Sequence, residues 1–262
     1  MAIATSDPVL QPGQYRRVGA TSVYAADGAD KNGVGFGSLT IDEGQLYVTA
    51  DRDDEWVRMR GLRKPYQTFG PSSEAAAQDD WNRQLAKRAP DYEENVRALG
   101  GAFYGSPGPD FEELDALPRD PFRLLNYNYR TTLGSGPSPD GEALVWIANT
   151  LRGGGIPADL RGAIFEAAAM IPGVAVTEGQ ATLNGRAGVS IGRLEPSNGL
   201  RQDIIIDPKT GQLIGERSVI VNPKAGSPFP AGTSDGWTAI TTTVVDEAPT
   251  GGNIYGDMGL PG

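Results

Sequence analysis

Three early stretches alternate apolar with polar residues, a period of two that puts successive side chains on opposite faces of a strand. Gln14–Tyr24 leads into a polar turn at Asp27–Gly33, Leu46–Thr49 into a tight turn at Asp51–Asp54, and Glu55–Arg60 follows. A three-stranded antiparallel meander is therefore predicted over residues 14–65. Trp56 and Met59 fall on opposite faces of an ideal strand, which requires either a bulge or cover on both sides.

Between Pro71 and Met170 the period lengthens to that of helices. Ser72 or Ser73 can cap a segment running to Arg88, whose narrow stripe Ala77, Trp81, Leu85 predicts a surface helix. A Pro/Gly-rich connection, Pro90–Pro109, is expected to be mobile. Asp120-Pro121 then starts a helix with Phe122, Leu125 and Tyr129 on one side. Ser138-Pro139-Asp140 opens another, with Leu144, Ile147, Ala148 and Leu151 on its face, ended by Gly153-Gly154-Gly155. Pro157 begins the last helix, which buries Leu160, Ala163, Ile164, Ala167, Met170 and Ile171 before Pro172-Gly173 stops it.

After Val174 the chain reads as hairpins, because Asn184-Gly185, Asn198-Gly199 and Asp207–Gly211 separate strand-like runs. Strands are predicted near 174–183, 186–195, 200–207, 212–221 and 236–246. The order strands, helices, strands points to an α+β fold, with a single antiparallel sheet of roughly eight or more strands and helices on one face. One domain over 1–262 is expected, with flexible ends at 1–12 and 250–262 and a helical or loop insertion at 66–135 between the sheet halves. A two-domain alternative would divide the chain near Pro109.

Charge narrows the partners. A net charge of −10 disfavours nucleic acid and anionic membrane surfaces. The local run Arg58, Arg60, Arg63, Lys64 reads as one solvated edge. No window is apolar over the roughly 20 residues that span a bilayer, and Met1–Asp7 has neither the basic start nor the apolar run of a secretory signal.

Cysteine and histidine are both absent, which removes disulfides, thiol chemistry, zinc-thiolate sites, Ser-His-Asp triads and imidazole ligands. No catalytic residue, cofactor or metal site is expected. The acidic pairs Asp53-Asp54, Asp79-Asp80, Glu93-Glu94 and Glu112-Glu113 consist of neighbours that do not face each other across a substrate. Asp27–Gly33 has Ala29 and Lys31 where a calcium loop needs oxygen ligands. Gly33–Gly37 lacks the helix and lysine of a phosphate cradle. Trp146 and Phe165 point away from the main stripes of their helices. With Ile147, Met170 and Ile191 they define a candidate apolar ligand pocket between helices and sheet.

Leu200–Arg217, together with Leu117–Pro121, Ile156–Arg161 and Ile171–Val174, resembles an uncharacterised family of actinobacterial single-pass membrane proteins. The matching segments run from about Gly13 to Val245. The resemblance implies a short cytoplasmic segment and a transmembrane helix upstream of an extracytoplasmic domain, so the present chain is expected to be that domain without its anchor. The expected location is the extracytoplasmic face of the plasma membrane. The architecture is also similar to the lipoprotein-carrier superfamily, which implies a curved open half-barrel with helices on its concave face. The expected function is non-enzymatic binding or sensing of a lipid or other apolar molecule. The alternative is a protein-interaction module that regulates an envelope or membrane partner through an edge strand or the 66–110 region. A carboxylate hydrolase would require two buried acids facing a cleft.

Overall fold

The computed structural model describes residues 3–103, 111–152 and 155–255, and of Phe111 only the backbone. Along the chain it places β1 (Tyr15–Ala29), β2 (Gly35–Thr49), β3 (Glu55–Gly61), β4 (Lys64–Phe69), α1 (Ser73–Leu85), β5 (Glu93–Leu99), α2 (Phe111–Ala116) and α3 (Pro121–Thr131). There follow α4 (Pro139–Arg152), α5 (Ala158–Ala169), β6 (Val174–Ala181), β7 (Ala187–Glu195), β8 (Leu200–Ile206), β9 (Leu213–Ile220), β10 (Ser234–Val245) and β11 (Asn253–Ile254). The class is α+β, with a mostly antiparallel sheet that does not close on itself. Contacts gather the chain into two units, Leu10–Phe103 with Val219–Gly262, and Met1–Val9 with Tyr104–Ser218.

In the first of these units the strand order is β11-β5-β3-β2-β1-β10, with β4 also on β2. β1 and β2 pair over their full length, from Tyr15 opposite Thr49 to Ala29 opposite Gly35. The sequence analysis picks out only the ends of this hairpin, because 25–37 is glycine-rich and the alternation over Ser38–Asp42 is short; ladder hydrogen bonds carry it past weak local preference. The turn is shorter than the predicted Asp27–Gly33, because Asp27–Ala29 still pair within β1; inside it the Asp30 carboxylate accepts the Asn32 and Val34 amides at 2.8 and 2.9 Å. Those two backbone bonds, Val34 foremost, hold its pKa below the ordinary aspartate value.

β3 resolves the Trp56 question. Its registers with β2 and β5 run without a shift, and the neighbours Trp56 and Val57 are both buried, so both faces of the strand are covered. β5 lies inside the stretch expected to be a mobile connection, and it buries Val96 and Ala98. Residues 104–109 of that stretch fall outside the described residues. The basic run is solvated at Arg60, Arg63 and Lys64 but not at half-buried Arg58, and its arginines also make contacts within the fold. Arg58 lies 4.6 Å from the Phe103 ring centroid, and Arg60 and Arg63 reach buried Asp42 at 2.9 and 3.4 Å. Of the tail 250–262, which the sequence marks as loose, residues 256–262 fall outside the described residues; before them β11 pairs in parallel with β5, and the Gly251 carbonyl accepts Arg97 at 2.6 Å.

In the second unit the order is β9-β8-β7-β6, so β6 is an edge strand. Asn184-Gly185 makes the predicted β6–β7 turn, with Gly185 at φ +82° supplying the left-handed residue. Ile204, Ile205 and Ile206 are all fully buried, as an uninterrupted apolar run in a strand covered on both faces should be. α4 buries Leu144, Ile147, Ala148 and Leu151 as its period predicts. α5 buries Leu160, Arg161, Ala163, Ile164, Phe165, Ala167 and Ala168, which is nearly its whole circumference.

α3 differs from the expectation. Asp120 caps it through the Arg123 amide at 2.9 Å, as predicted. Its buried row, however, is Leu124 and Asn128, while Phe122 is 69% exposed. The true inner face is partly polar: Asn128 donates to the Ala143 carbonyl at 2.8 Å, and Thr132 just beyond the helix donates back to Asn128 O at 2.9 Å. A reading that looks for apolar residues rotates the helix the wrong way. No helix among the described residues is long and apolar enough to cross a membrane.

Candidate functional site

The five residues predicted to line a pocket separate into two groups. Ile147 of α4, Ile191 of β7 and Phe165 of α5 are 1%, 2% and 6% exposed, inside the layer that the helices form against the sheet. Trp146 and Met170 are only half-buried. Trp146 sits on the outer flank of α4, edge-on to Tyr127 of α3 with ring centroids 6.2 Å apart. Met170 is the C-terminal cap of α5. Phe165 looks off-face in the sequence because α5 has almost no exposed face.

A cluster of polar side chains lies where the start of α4 meets the end of β7. Ser138 donates to Glu195 Oε2 and accepts the Gly141 amide at 3.0 Å, so one hydroxyl both caps the helix and ties it to the strand. Arg193 donates to Glu195 at 2.6 Å and to the Pro172 carbonyl at 2.9 Å, and Ser197 donates to Glu195 Oε1 at 2.7 Å. Burial pushes the Glu195 carboxyl up, but the donors Ser138, Ser197 and Arg193 outweigh it and bring the pKa down to about 2. Beside them Tyr129 donates to Asp140 at 2.7 Å. Burial first, then that bond and the Asp140 charge, push its phenol up to about 12.

A serine beside a carboxylate suggests nucleophile and base, but a carboxylate with a pKa near 2 is a feeble base at neutral pH. The arrangement works as a clamp on α4 and on the α5–β6 turn. Ser138 is legible in the sequence as a cap. Its partner 57 residues away is not.

Two further carboxylates are locked in the same manner. Asp203 of β8, 1% exposed, accepts Ser190 at 2.7 Å and pairs with Arg201 and Arg217 at 2.9 and 3.5 Å. Glu216 of β9 receives Arg152 of α4 through two bonds of 2.6 Å. The four sequence-adjacent acidic pairs stay apart, on a turn, α1, β5 and α2. Among the described residues no three acids come together in a way that could hold a metal ion.

One polar site was invisible to sequence reading. α5 begins at Pro157, which supplies no capping side chain. The cap comes instead from Asp7, whose Oδ2 accepts the Ala158 amide at 2.9 Å while Oδ1 accepts Arg161 Nη1 at 2.6 Å. The only available signal was the missing cap, since an uncapped helix start leaves amides that need an acceptor.

The chain matches no protein-family model, and no curated protein or solved structure is significantly similar to it.

Proposed function

We propose that this chain is a non-catalytic recognition domain, extracytoplasmic in the full-length protein, that engages a protein partner by strand addition. The observation that carries this reading is the outer edge of β6. β6 ends the strand order, five successive residues from Ala175 to Gly179 are exposed, and Val176 is 54% exposed. An unpaired strand edge offers its backbone donors and acceptors to an extended segment of another protein. The arginine-locked carboxylates Glu195, Asp203 and Glu216 support a binding role over an acid–base one. A photo-crosslinking side chain at Val176 in the full-length protein, expressed in its own host, should give one discrete protein adduct. The same group at exposed Arg83 should not. Loss of the difference between the two positions would end the proposal.

The apolar-ligand reading rests on a different observation, the apolar layer containing Ile147, Phe165 and Ile191 with Trp146 and Met170 at its margin. An acyl chain entering there would gain about 25 cal/mol per Å2 of buried surface, but it would have to part α4 and α5 from the strands to reach those three side chains. Organic extraction of the purified protein followed by mass spectrometry tests it. A stoichiometric amphiphile supports a carrier; clean extracts remove it.

A further inference from the structure

We infer that Arg60, Arg63 and Tyr24, gathered over Asp42 of β2, form a recognition site for a single acidic side chain, Asp or Glu, that projects from a protein partner. The site goes beyond the reading of the β6 edge and uses none of its residues.

The cluster is built on a buried charge. Asp42 is 6% exposed, and its Oδ2 accepts Arg60 Nε and Nη2 at 3.2 and 2.9 Å and Arg63 Nε at 3.4 Å. A carboxylate so enclosed needs a cation, but one guanidinium would satisfy it. Two converge here on the same oxygen, which leaves one positive charge in excess. Glu94, opposite Arg60 on β5, forms no ion pair with it among the described residues, and the Glu94 charge is also felt by Arg58 two residues before Arg60.

Arg63 is held more firmly than an exposed arginine requires. Its amide donates to Gln84 Oε1 at 3.3 Å and its carbonyl accepts Gln84 Nε2 at 2.9 Å, so a single side chain of α1 grips the backbone on both sides. Its guanidinium carbon lies 4.5 Å from the Tyr24 ring centroid, which fixes the plane of the fork as Asp42 fixes its Nε edge. A surface arginine ordinarily keeps its rotamer freedom until a partner orders it. For Arg63 folding has already removed much of that freedom, which lowers the entropy cost of a contact made there.

The donors left over face outward. Among the described residues Arg60 Nη1, both Nη groups of Arg63 and the Tyr24 hydroxyl make no hydrogen bond. The two arginine side chains are 43% and 48% exposed, and Tyr24 is 37% exposed. A guanidinium fork matches the paired oxygens of a carboxylate. The single excess charge suits a monoanion, and the net charge of −10 repels a nucleic-acid backbone or an anionic membrane. These side chains also stand in the open, whereas a small ligand depends on enclosure. A carboxylate on a protruding residue of another protein meets all three conditions.

The test titrates the full chain, labelled with nitrogen-15, with the peptide acetyl-Gly-Glu-Gly-amide at constant ionic strength. The arginine Nε–H resonances are followed, assigned by the signal that Arg60→Lys and Arg63→Lys each remove. Both resonances should move saturably, with half-saturation below about 10 mM. The Gln counterpart of the peptide should bind at least about tenfold more weakly, a comparison that leaves the protein unchanged. Arg63→Lys keeps the charge but loses the fork and the stack, so the Arg60 signal should then need about fivefold more peptide. Shifts that grow linearly, shifts that the Gln peptide matches, or undiminished binding by Arg63→Lys overturn the site. Inorganic phosphate that saturates the same resonances at lower concentration than the Glu peptide overturns it as well, because the receptor is then one for phosphate. Should Arg63→Lys not fold by circular dichroism, Tyr24→Ala replaces it, with the same direction required. A flat titration leaves a crosslink at Val176 standing, and absence of that crosslink leaves this titration unaffected.

Discussion

Gly192→Ala should be among the most damaging single-methyl changes in the chain. Gly192 of β7 lies directly opposite Asp203 of β8, and a Cβ built on it would stand 2.0 Å from Asp203 Oδ1 and 2.9 Å from Arg201 Nη2. To restore an ordinary contact of 3.4 Å the carboxylate would have to retreat by ~1.4 Å, the difference between those two distances. Such a shift breaks the 2.7 Å bond from Ser190 and the bonds from Arg201 at 2.9–3.2 Å. Overpacking costs about 1–3 kcal/mol, and a lost hydrogen bond to a buried charge about 1.5–3 kcal/mol more. The sum, about 2.5–6 kcal/mol, spans the roughly 3–5 kcal/mol that removing one partner of a buried ion pair costs. Urea unfolding followed by circular dichroism should show the midpoint falling by about 1–2 M. Gly185→Ala provides the contrast: its φ of +82° is strained for alanine, but nothing lies within 4 Å of the added methyl, so about 1–2 kcal/mol is expected. Asp203→Ala should cost less in the Gly192→Ala background than in the parent, because the clash disappears with the carboxylate. An unfolding free energy for Gly192→Ala within about 1 kcal/mol of the parent would refute this account of the buried charge.

Three further outcomes follow from the same geometry. Because the Glu195 pKa is depressed from 4.5 to about 2, its contribution to stability is complete above pH 4.5 and is lost as pH falls toward 2. Glu195→Gln should therefore flatten the acid limb of a stability–pH curve, and an unchanged limb would remove the clamp. Tyr129 has the opposite sign: raised from 10 to about 12, it stabilises below pH 10 and loses that contribution through pH 12, which Tyr129→Phe should abolish in a thermal-melt series. On α3, Leu124→Ala should destabilise by about 2–5 kcal/mol and exposed Phe122→Ser by less than about 0.5 kcal/mol, measured by urea titration; the reverse order would restore the apolar phase read from sequence.

What the sequence exposed was whatever is local. Asn184-Gly185, the Asp120 cap and the stripe Leu144, Ile147, Ala148, Leu151 carry their own signals, and each stands where it was expected. The misses share a cause. β5 is a seven-residue strand beside Pro90 that exists because β3 gives it a partner, and β4 likewise depends on β2. α3 faces inward with Asn128 because the Ala143 carbonyl is there to receive it. Neither a strand partner nor a carbonyl on another helix is written near the residue that uses it.

The same logic governs the polar sites. Read along the chain, Asp7, Glu195, Asp203 and Glu216 are ordinary surface acids; in the fold each meets an arginine. The Asp203–Arg217 pair joins β8 to β9 and the Glu216–Arg152 pair joins β9 to α4, while Glu195 pairs with Arg193 on its own strand and reaches α4 through Ser138, so these carboxylates serve the architecture. Asp7 is different in kind. It reaches Arg161 and the Ala158 amide from a segment outside any helix or strand, which the Ala4 and Ser6 amides hold on the Pro208 and Thr210 carbonyls. All four carboxylates are thus committed to holding the fold together, and a partner that adds to the β6 edge, where the strand order ends, can gain backbone contacts without breaking one of these pairs.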